Sequence, residues 1–174
     1  MKKLYYLIPI FLVSVFVSAQ TIVFNVQEVK AKDYLESKLE EAYETCCKDI
    51  KPNKGGFALQ KLGKGADDGM THRFIWYWEI GEDLWEGTDI WDKAPLWFSQ
   101  TENYVEEYGE QYMGRVLSEQ KGTNEDYKWD HIWDIKASDP NQFKIAHDKI
   151  LKKFKKQFEG RWAAFGTYDI NHPN

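Results

Sequence analysis

The fold is decided first by residues 71–80, which read THRFIWYWEI. This segment gives the strongest strand signal in the chain, because aromatic and β-branched residues favour strands. Successive side chains of a strand point to opposite sides of the sheet, so the segment divides into two faces. One face would carry His72, Phe74, Trp76, Trp78 and Ile80, and the other Ile75 and Tyr77.

Strand-like and helix-like patterns alternate on both sides of this segment. We predict further strands at 21–29, 57–62, 112–120, 127–135 and 162–170, and helices at 33–49, 95–108 and 139–158. Asp33 is the predicted N-cap of the first helix, and Asp139, followed by Pro140, caps the third. The third helix is expected to bury one stripe, formed by Phe143, Ala146, Ile150, Phe154 and Phe158.

The predicted elements form three strand–helix–strand units, at about 21–62, 71–120 and 127–170. Residues 25–33, NVQEVKAKD, align with residues 131–139, HIWDIKASD. In the middle unit, Trp78-Glu79-Ile80 matches Trp133-Asp134-Ile135. Self-similarity of this kind indicates related structural units, and chance similarity of strand ends is the alternative.

Units of this type build α+β, ferredoxin-like antiparallel sheets with helices on one face. In the order of elements across residues 21–170, and in its repeated strand ends, the chain resembles the dimeric α/β-barrel superfamily, which includes antibiotic-biosynthesis-monooxygenase-like proteins. The resemblance implies three alternatives for the sheet. The first is a sheet that closes into a barrel within one chain. The second is a sheet that closes between the two chains of a homodimer, and the third is a sheet that stays open.

Residues 1–19 have the three parts of a secretory signal peptide. Lys2 and Lys3 precede the apolar run 4–17, and Ala19 lies at the expected cleavage point. An uncleaved N-terminal anchor is the alternative. We predict export to the periplasm or the exterior, and a single mature domain at 20–174 with no membrane association after signal removal.

The charge and cysteine content narrow the class of partner. The full chain has a net charge of -5, and an acidic protein does not suit the phosphate backbone of nucleic acid. Cys46 and Cys47 are adjacent and provide no disulfide framework. Two partly buried thiols, or an intermolecular disulfide, are the alternatives for this pair. The spacing of histidine and cysteine predicts no metal site.

Aligning the three units places aromatic and polar side chains on one face of the sheet. The candidate ligand-binding residues on that face are Asn25, Gln27, His72, Trp76, Trp78, Trp129, His131 and Trp133. Apolar walls with a few polar groups are typical of ligand pockets. The resemblance implies that this face encloses the ligand, while a packed core or an oligomer interface is the alternative. The opposite face, with Ile22, Phe24, Val26, Ile75, Tyr77 and Ile132, is expected to pack under the helices.

The leading functional hypothesis is a protein that binds a small molecule in this pocket. The resemblance implies a second hypothesis, a cofactor-free oxygenase or haem-handling enzyme, with haem as the cofactor and no catalytic residue assigned. A third is a structural or sugar-binding module that uses the acidic, tryptophan-rich residues 82–97. The basic run at 149–156 is expected to be a solvated helix face.

Overall fold

A computed structural model of the chain describes residues 21–47, 50, 52, 54–63, 69–122 and 131–170. The elements in these residues are β1 (Ile22–Ala31), α1 (Glu36–Cys46), β2 (Gly55–Lys61), β3 (His72–Glu79), α2 (Ile90–Tyr104), β4 (Val105–Gln120), α3 (Pro140–Lys153) and β5 (Ala163–Ile170). The predicted signal peptide, the first part of the predicted strand at 127–135, and Trp129 lie outside the described residues.

The strands form one sheet in the order β2-β3-β1-β4-β5, and every neighbouring pair is antiparallel. From β1 to β4, the elements have the chain order and strand order of a ferredoxin-like unit, and β5 extends the sheet beyond β4. The α+β class with ferredoxin-like units is therefore confirmed. The sheet is open between β2 and β5, so it does not close into a barrel within this chain.

Helices α1 and α2 pack on one face of the sheet and form the main core with it. Helix α1 contributes Leu39, Ala42 and Cys46, and α2 contributes Ile90 and Trp97; the strands contribute Val29, Ala31, Phe74 and Val105. The helical residues recur at intervals of three, four or seven, which keeps them on the buried side of each helix. Full burial of a side chain such as Leu39 contributes about 1.5–3 kcal/mol.

Helix α3 has the N-terminus that the sequence predicts, but it packs more loosely on the sheet than α1 and α2 do. The Asp139 carboxylate accepts hydrogen bonds from the backbone N–H groups of Asn141 and Gln142, at 3.0 Å each. Phe143 packs on Phe165 of β5, with ring centroids 5.0 Å apart. The register places Phe165 on the face that α1 and α2 cover, so all three helices lie on one side. The predicted buried stripe is wrong, since no residue of α3 is buried.

Several predicted boundaries also need correction. Helix α1 begins at Glu36 and has Leu35 at its N-cap position with no side-chain cap, so Asp33 does not cap it. Helix α2 begins at Ile90 and contains Pro95 in its first turns instead of starting there. Residues 131–135 form no strand, so the predicted repeat does not extend to this segment. Alternation alone does not make a strand, because a strand also needs a neighbour for its backbone hydrogen bonds.

The helices cover the opposite face from the one that the sequence predicted. In the register of β1 and β3, Asn25 lies opposite Trp76, Gln27 opposite Phe74, and Val29 opposite His72, so these residues share a face. Val29, Phe74 and Trp76 belong to the core beneath α1 and α2. The prediction that Phe24, Val26, Ile75 and Tyr77 pack under the helices is therefore wrong. Ile132, predicted with them, is exposed and belongs to no strand.

Candidate functional site: the helix-free face of the sheet

The side of the sheet opposite the three helices is here called the helix-free face. Val26 on β1 marks its centre, because it lies opposite Ile75 of β3 and Tyr112 of β4. The face comprises Phe24, Val26, Glu28, Gln60, Arg73, Ile75, Tyr77, Tyr112 and Tyr168. Val26 and Tyr112 are buried, at 3% and 4% exposure, although none of the helices in the described residues covers them.

Glycines in the neighbouring strands let two aromatic rings lie flat on this face. A Cβ atom at Gly114 would come within 2.5 Å of the Phe24 ring, and one at Gly166 within 3.2 Å. A Cβ atom at Gly56 would likewise come within 2.5 Å of the Tyr77 ring. Glycine inside a strand often marks such a close approach. The helix-free face thus carries four aromatic rings, those of Phe24, Tyr77, Tyr112 and Tyr168, and these form what is here called the aromatic floor.

Two tyrosines pack edge to face at the β4–β5 side of the floor. The rings of Tyr112 and Tyr168 have centroids 4.9 Å apart at an interplanar angle of 84°. The Tyr168 hydroxyl donates to Asp134 Oδ1 at 2.6 Å, which ties the segment before α3 to the sheet. Burial raises the pKa of Tyr112 to about 12, and burial followed by the Asp134 contact raises the pKa of Tyr168. Both phenols therefore keep their protons at neutral pH.

Arg73 supplies the positive charge of this face. It is 8% exposed, and its Nε donates to the amide oxygen of Gln60 at 2.8 Å. Glu28 lies opposite it on β1, yet Arg73 forms no ion pair with any residue that the structure describes. Buried arginines are almost always paired with a carboxylate. The Tyr112 phenol shares a hydrogen bond with the Arg73 side chain, and the carboxylates of Glu28 and Asp134 lie near enough to act on the same phenol.

His72, a predicted ligand residue, is fully buried on the helix-covered face. Its Nε2 lies 3.3 Å from Glu40 Oε1, and its Nδ1 lies 2.9 Å from the Thr71 hydroxyl oxygen. Burial lowers the pKa of His72, against the opposing effect of Glu40. Both ring nitrogens thus have partners in the protein.

The other predicted residues on β1 and β3 also contact protein groups. The Gln27 amide donates to the backbone oxygens of Glu28 and Gly109, at 2.9 and 3.0 Å, where the β1–β4 register shifts. Asn25 Oδ1 accepts from the Gln111 side chain at 3.4 Å. Trp76 packs against the core, and Trp78 is partly buried opposite Val23.

The structure separates His131 and Trp133 from the rest of the predicted set. Their rings stack at 5.9 Å, and both residues are exposed in a segment outside the sheet. Asn25, Gln27, His72, Trp76 and Trp78 do share one face, as predicted. The ligand-binding role of the eight residues stays a prediction. The sequence analysis missed Arg73, Tyr112 and Tyr168 on the other face. The glycines within strands signalled only the close packing of the Phe24 and Tyr77 rings there.

Elsewhere the described surface has two shallow depressions. A depression of about 150 Å³ between α1 and α2 includes Lys38 and Gln100, and one of about 280 Å³ beside α3 includes Ser118 and Lys152. In the described residues, no group of three or more His, Cys, Asp or Glu side chains is placed to hold a metal ion. No helix among them is long and apolar enough to cross a membrane.

Comparison of the chain with protein-family models, with curated proteins and with solved structures finds no match in any of the three.

Proposed function

We propose that the protein is exported and binds a small molecule on the helix-free face of its sheet. The observation that carries this proposal is an aromatic floor that lies on the side of the sheet away from α1, α2 and α3 and includes Val26, Tyr112 and Arg73. Apolar and aromatic surface with a few fixed polar groups is what small-molecule sites present. The proposal keeps the predicted class of function and moves the site to the other side of the sheet.

The resemblance to dimeric α/β barrels supports a homodimer in which two helix-free faces enclose the ligand. The open sheet and the exposed Tyr77 ring, at 43%, leave surface for a second copy to cover. Small-molecule binding is favoured over haem handling, because His72 has both nitrogens engaged and His131 lies outside the sheet.

Sugar binding is a second candidate and is supported by Trp91. Of the tryptophans in residues 82–97, Trp97 is buried in the core and Trp85 packs against Phe57, with ring centroids 5.9 Å apart. Trp91 is 71% exposed on α2 and has Asp92 beside it. A glycan array tests this candidate, since binding that Trp91→Ala abolishes would support it.

The proposed function is tested by titrating ¹⁵N-labelled protein with indole, an uncharged planar probe. We expect shifts of the backbone amide signals of Gly114 and Gly166, which lie under the Phe24 ring. Phe24→Leu should weaken indole binding by roughly fivefold or more, since a ring contact is worth about 1 kcal/mol. Phe98→Leu, at an exposed phenylalanine on α2, is the matched control and should leave binding unchanged.

Two results would contradict this proposal. One is an absence of shifts at Gly114 and Gly166 at saturating indole. The other is an equal loss of affinity in Phe24→Leu and Phe98→Leu, which would mean that the probe binds without using the floor.

A further inference from the structure

We propose that the side of α3 that faces away from the sheet docks on a membrane surface containing anionic lipids. This side is here called the outward side and comprises Ile145, Lys149, Ile150, Lys152, Lys153 and the C-cap Phe154. The sequence predicted a solvated basic run beside a buried apolar stripe, and no membrane association. Since no residue of α3 is buried, its apolar side chains remain exposed beside the lysines. The helix-free face plays no part in this contact, which goes beyond the proposed function.

The contacts of α3 with the sheet use the other side of the helix. Phe143 and His147 lie four residues apart and pack on the Phe165 ring of β5, with centroids at 5.0 and 5.9 Å. Asp148 accepts a hydrogen bond from the Ser118 hydroxyl of β4. The carboxylate of α3 is therefore turned towards the sheet and leaves the outward side without negative charge.

The outward side combines lysines with exposed apolar side chains. Ile145, Lys149 and Lys152 recur at intervals of four and three, so they lie together on one side of the helix. Ile145, Ile150 and Phe154 are 44%, 49% and 40% exposed. A helix of this composition can lie in a membrane interface, with its apolar side chains at the acyl boundary and its lysines at the headgroups.

Positive charge is concentrated around α3 in a chain that is acidic as a whole. Residues 140–162 contain six lysines and Arg161 against Asp148 and Glu159, a net charge of +5. The whole chain has a net charge of -5, so the remaining residues carry -10. Anionic headgroups would therefore attract this segment and repel the rest of the surface, which selects α3 as the side that docks.

Two lysines of the outward side have no carboxylate partner in the part of the chain that the structure describes. Lys149 and Lys152 form no ion pair there. The exposed lysines Lys38 and Lys54, by contrast, are paired with glutamates at 2.7 and 2.5 Å. Unpaired ammonium groups can meet lipid phosphates without first giving up a partner, and each lysine held near an anionic membrane strengthens binding about fivefold.

Co-sedimentation of the mature chain, residues 20–174, with lipid vesicles tests this docking. One set of vesicles contains phosphatidylglycerol and phosphatidylcholine in equal parts, and the other contains phosphatidylcholine alone. We expect roughly tenfold or stronger binding to the anionic vesicles at about 0.1 M salt. Raising the salt to about 0.5 M should remove most of this preference, because salt screens exposed charges.

Lys149→Glu combined with Lys152→Glu reverses two charges of the outward side and should weaken binding to anionic vesicles by roughly tenfold or more. The matched control combines Lys38→Glu with Lys54→Glu, which changes the net charge equally at exposed lysines outside α3. This control should retain binding. Thermal unfolding establishes that both double variants are folded.

Phe154→Ser tests the apolar part of the contact and leaves the lysines in place. It should weaken binding to anionic vesicles roughly threefold, since the ring is expected to leave water at the membrane. Phe98→Ser is the matched control, because Phe98 is an exposed phenylalanine on α2. That variant should bind as the parent chain does.

Four outcomes would overturn this inference. They are equal binding to the two kinds of vesicle, unchanged binding in Lys149→Glu with Lys152→Glu, equal losses in the two double variants, and equal losses in the two phenylalanine variants. A parent chain that ignores vesicles but self-associates through α3 would also overturn it and assign the outward side to a second copy. The indole titration of Gly114 and Gly166 is independent of these results, so the docking and the proposed function can fail separately.

Discussion

At the scale of single residues, His72 illustrates how a polar side chain is accommodated in this core. A carboxylate only accepts hydrogen bonds, so the contact with Glu40 places a proton on His72 Nε2. The Thr71 hydroxyl can then donate to Nδ1 and complete the pairing of a neutral imidazole. The groups around it are Glu40, Glu36 and Lys61, and Lys61 lies 2.9 Å from each of the two carboxylates.

His72 should make the stability of the protein depend on pH below neutrality. Its pKa in the folded state lies below the ordinary value of 6.5, so the unfolded chain binds the proton more readily. Stability from His72 is therefore fully present above pH 6.5 and is lost as the pH falls towards the folded pKa. The pKa of Glu40 is lowered from 4.5, chiefly by Lys61, so its contribution is lost at lower pH still.

Urea unfolding at pH 7.5, 6.5 and 5.5 measures this effect. The free energy of unfolding should fall across the series, with a slope of at most about 1.4 kcal/mol per pH unit for one proton. His72→Gln should lower stability at pH 7.5 by about 1–3 kcal/mol and flatten the slope. The control is His131→Gln at an exposed histidine, and an equal flattening in that variant would refute the assignment to His72.

At the scale of elements, α3 is held by local signals more than by burial. None of its residues is buried, while its N-terminus has a carboxylate cap with two backbone hydrogen bonds. Lys152 and Lys153 lie in its last turn, where positive charge stabilises the helix dipole. Helices α1 and α2, by contrast, lack side-chain caps and depend on the core that they bury.

Asp139→Ala should therefore destabilise α3 by about 1 kcal/mol, the usual worth of an N-cap. Hydrogen exchange of the amides of Asn141 and Gln142 is expected to accelerate while exchange in β1 stays slow. Asp33→Ala is the matched control, because Asp33 precedes α1 without capping it. If the two variants accelerate exchange in their helices equally, the cap has no special role.

Helix ends and strands could be predicted from the sequence where residues close together in the chain carry the information. The Asp139-Pro140 pair identified the start of α3, and the aromatic run identified β3. The strand predicted at 127–135 is wrong over its described part, because residues 131–135 alternate as β1 does but pair with no strand. Asp134 bonds to the Tyr168 hydroxyl instead, across 34 residues of sequence.

At the scale of the whole molecule, the sheet has three helices on one side and an aromatic floor on the other. Tyr77, at 43%, is the exposed ring of that floor, and exposed apolar surface often marks an interaction site. A second copy that covered the floor would turn two open sheets into a closed arrangement of the kind the resemblance implies.

We expect light scattering to give twice the monomer mass, and Tyr77→Asp to yield monomers because it adds a charge to the helix-free face. Trp91→Asp is the control on the helical side, where Trp91 is also exposed. Dissociation by Trp91→Asp and not by Tyr77→Asp would place the contact at the helices and contradict this prediction.

The sequence by itself determined the α+β class, the aromatic strand β3, the cap of α3 and the division of β1 and β3 into two faces. Those features depend on residue type and on spacing along the chain. Only the tertiary structure decided which face the helices cover. Both faces carry large apolar side chains, and the polar groups that suggested a pocket are satisfied by distant partners such as Glu40 and Gln111. The alternation of side chains shows that the two faces of a strand differ. It does not show which face is buried, because that depends on the side of the sheet on which α1 and α2 pack.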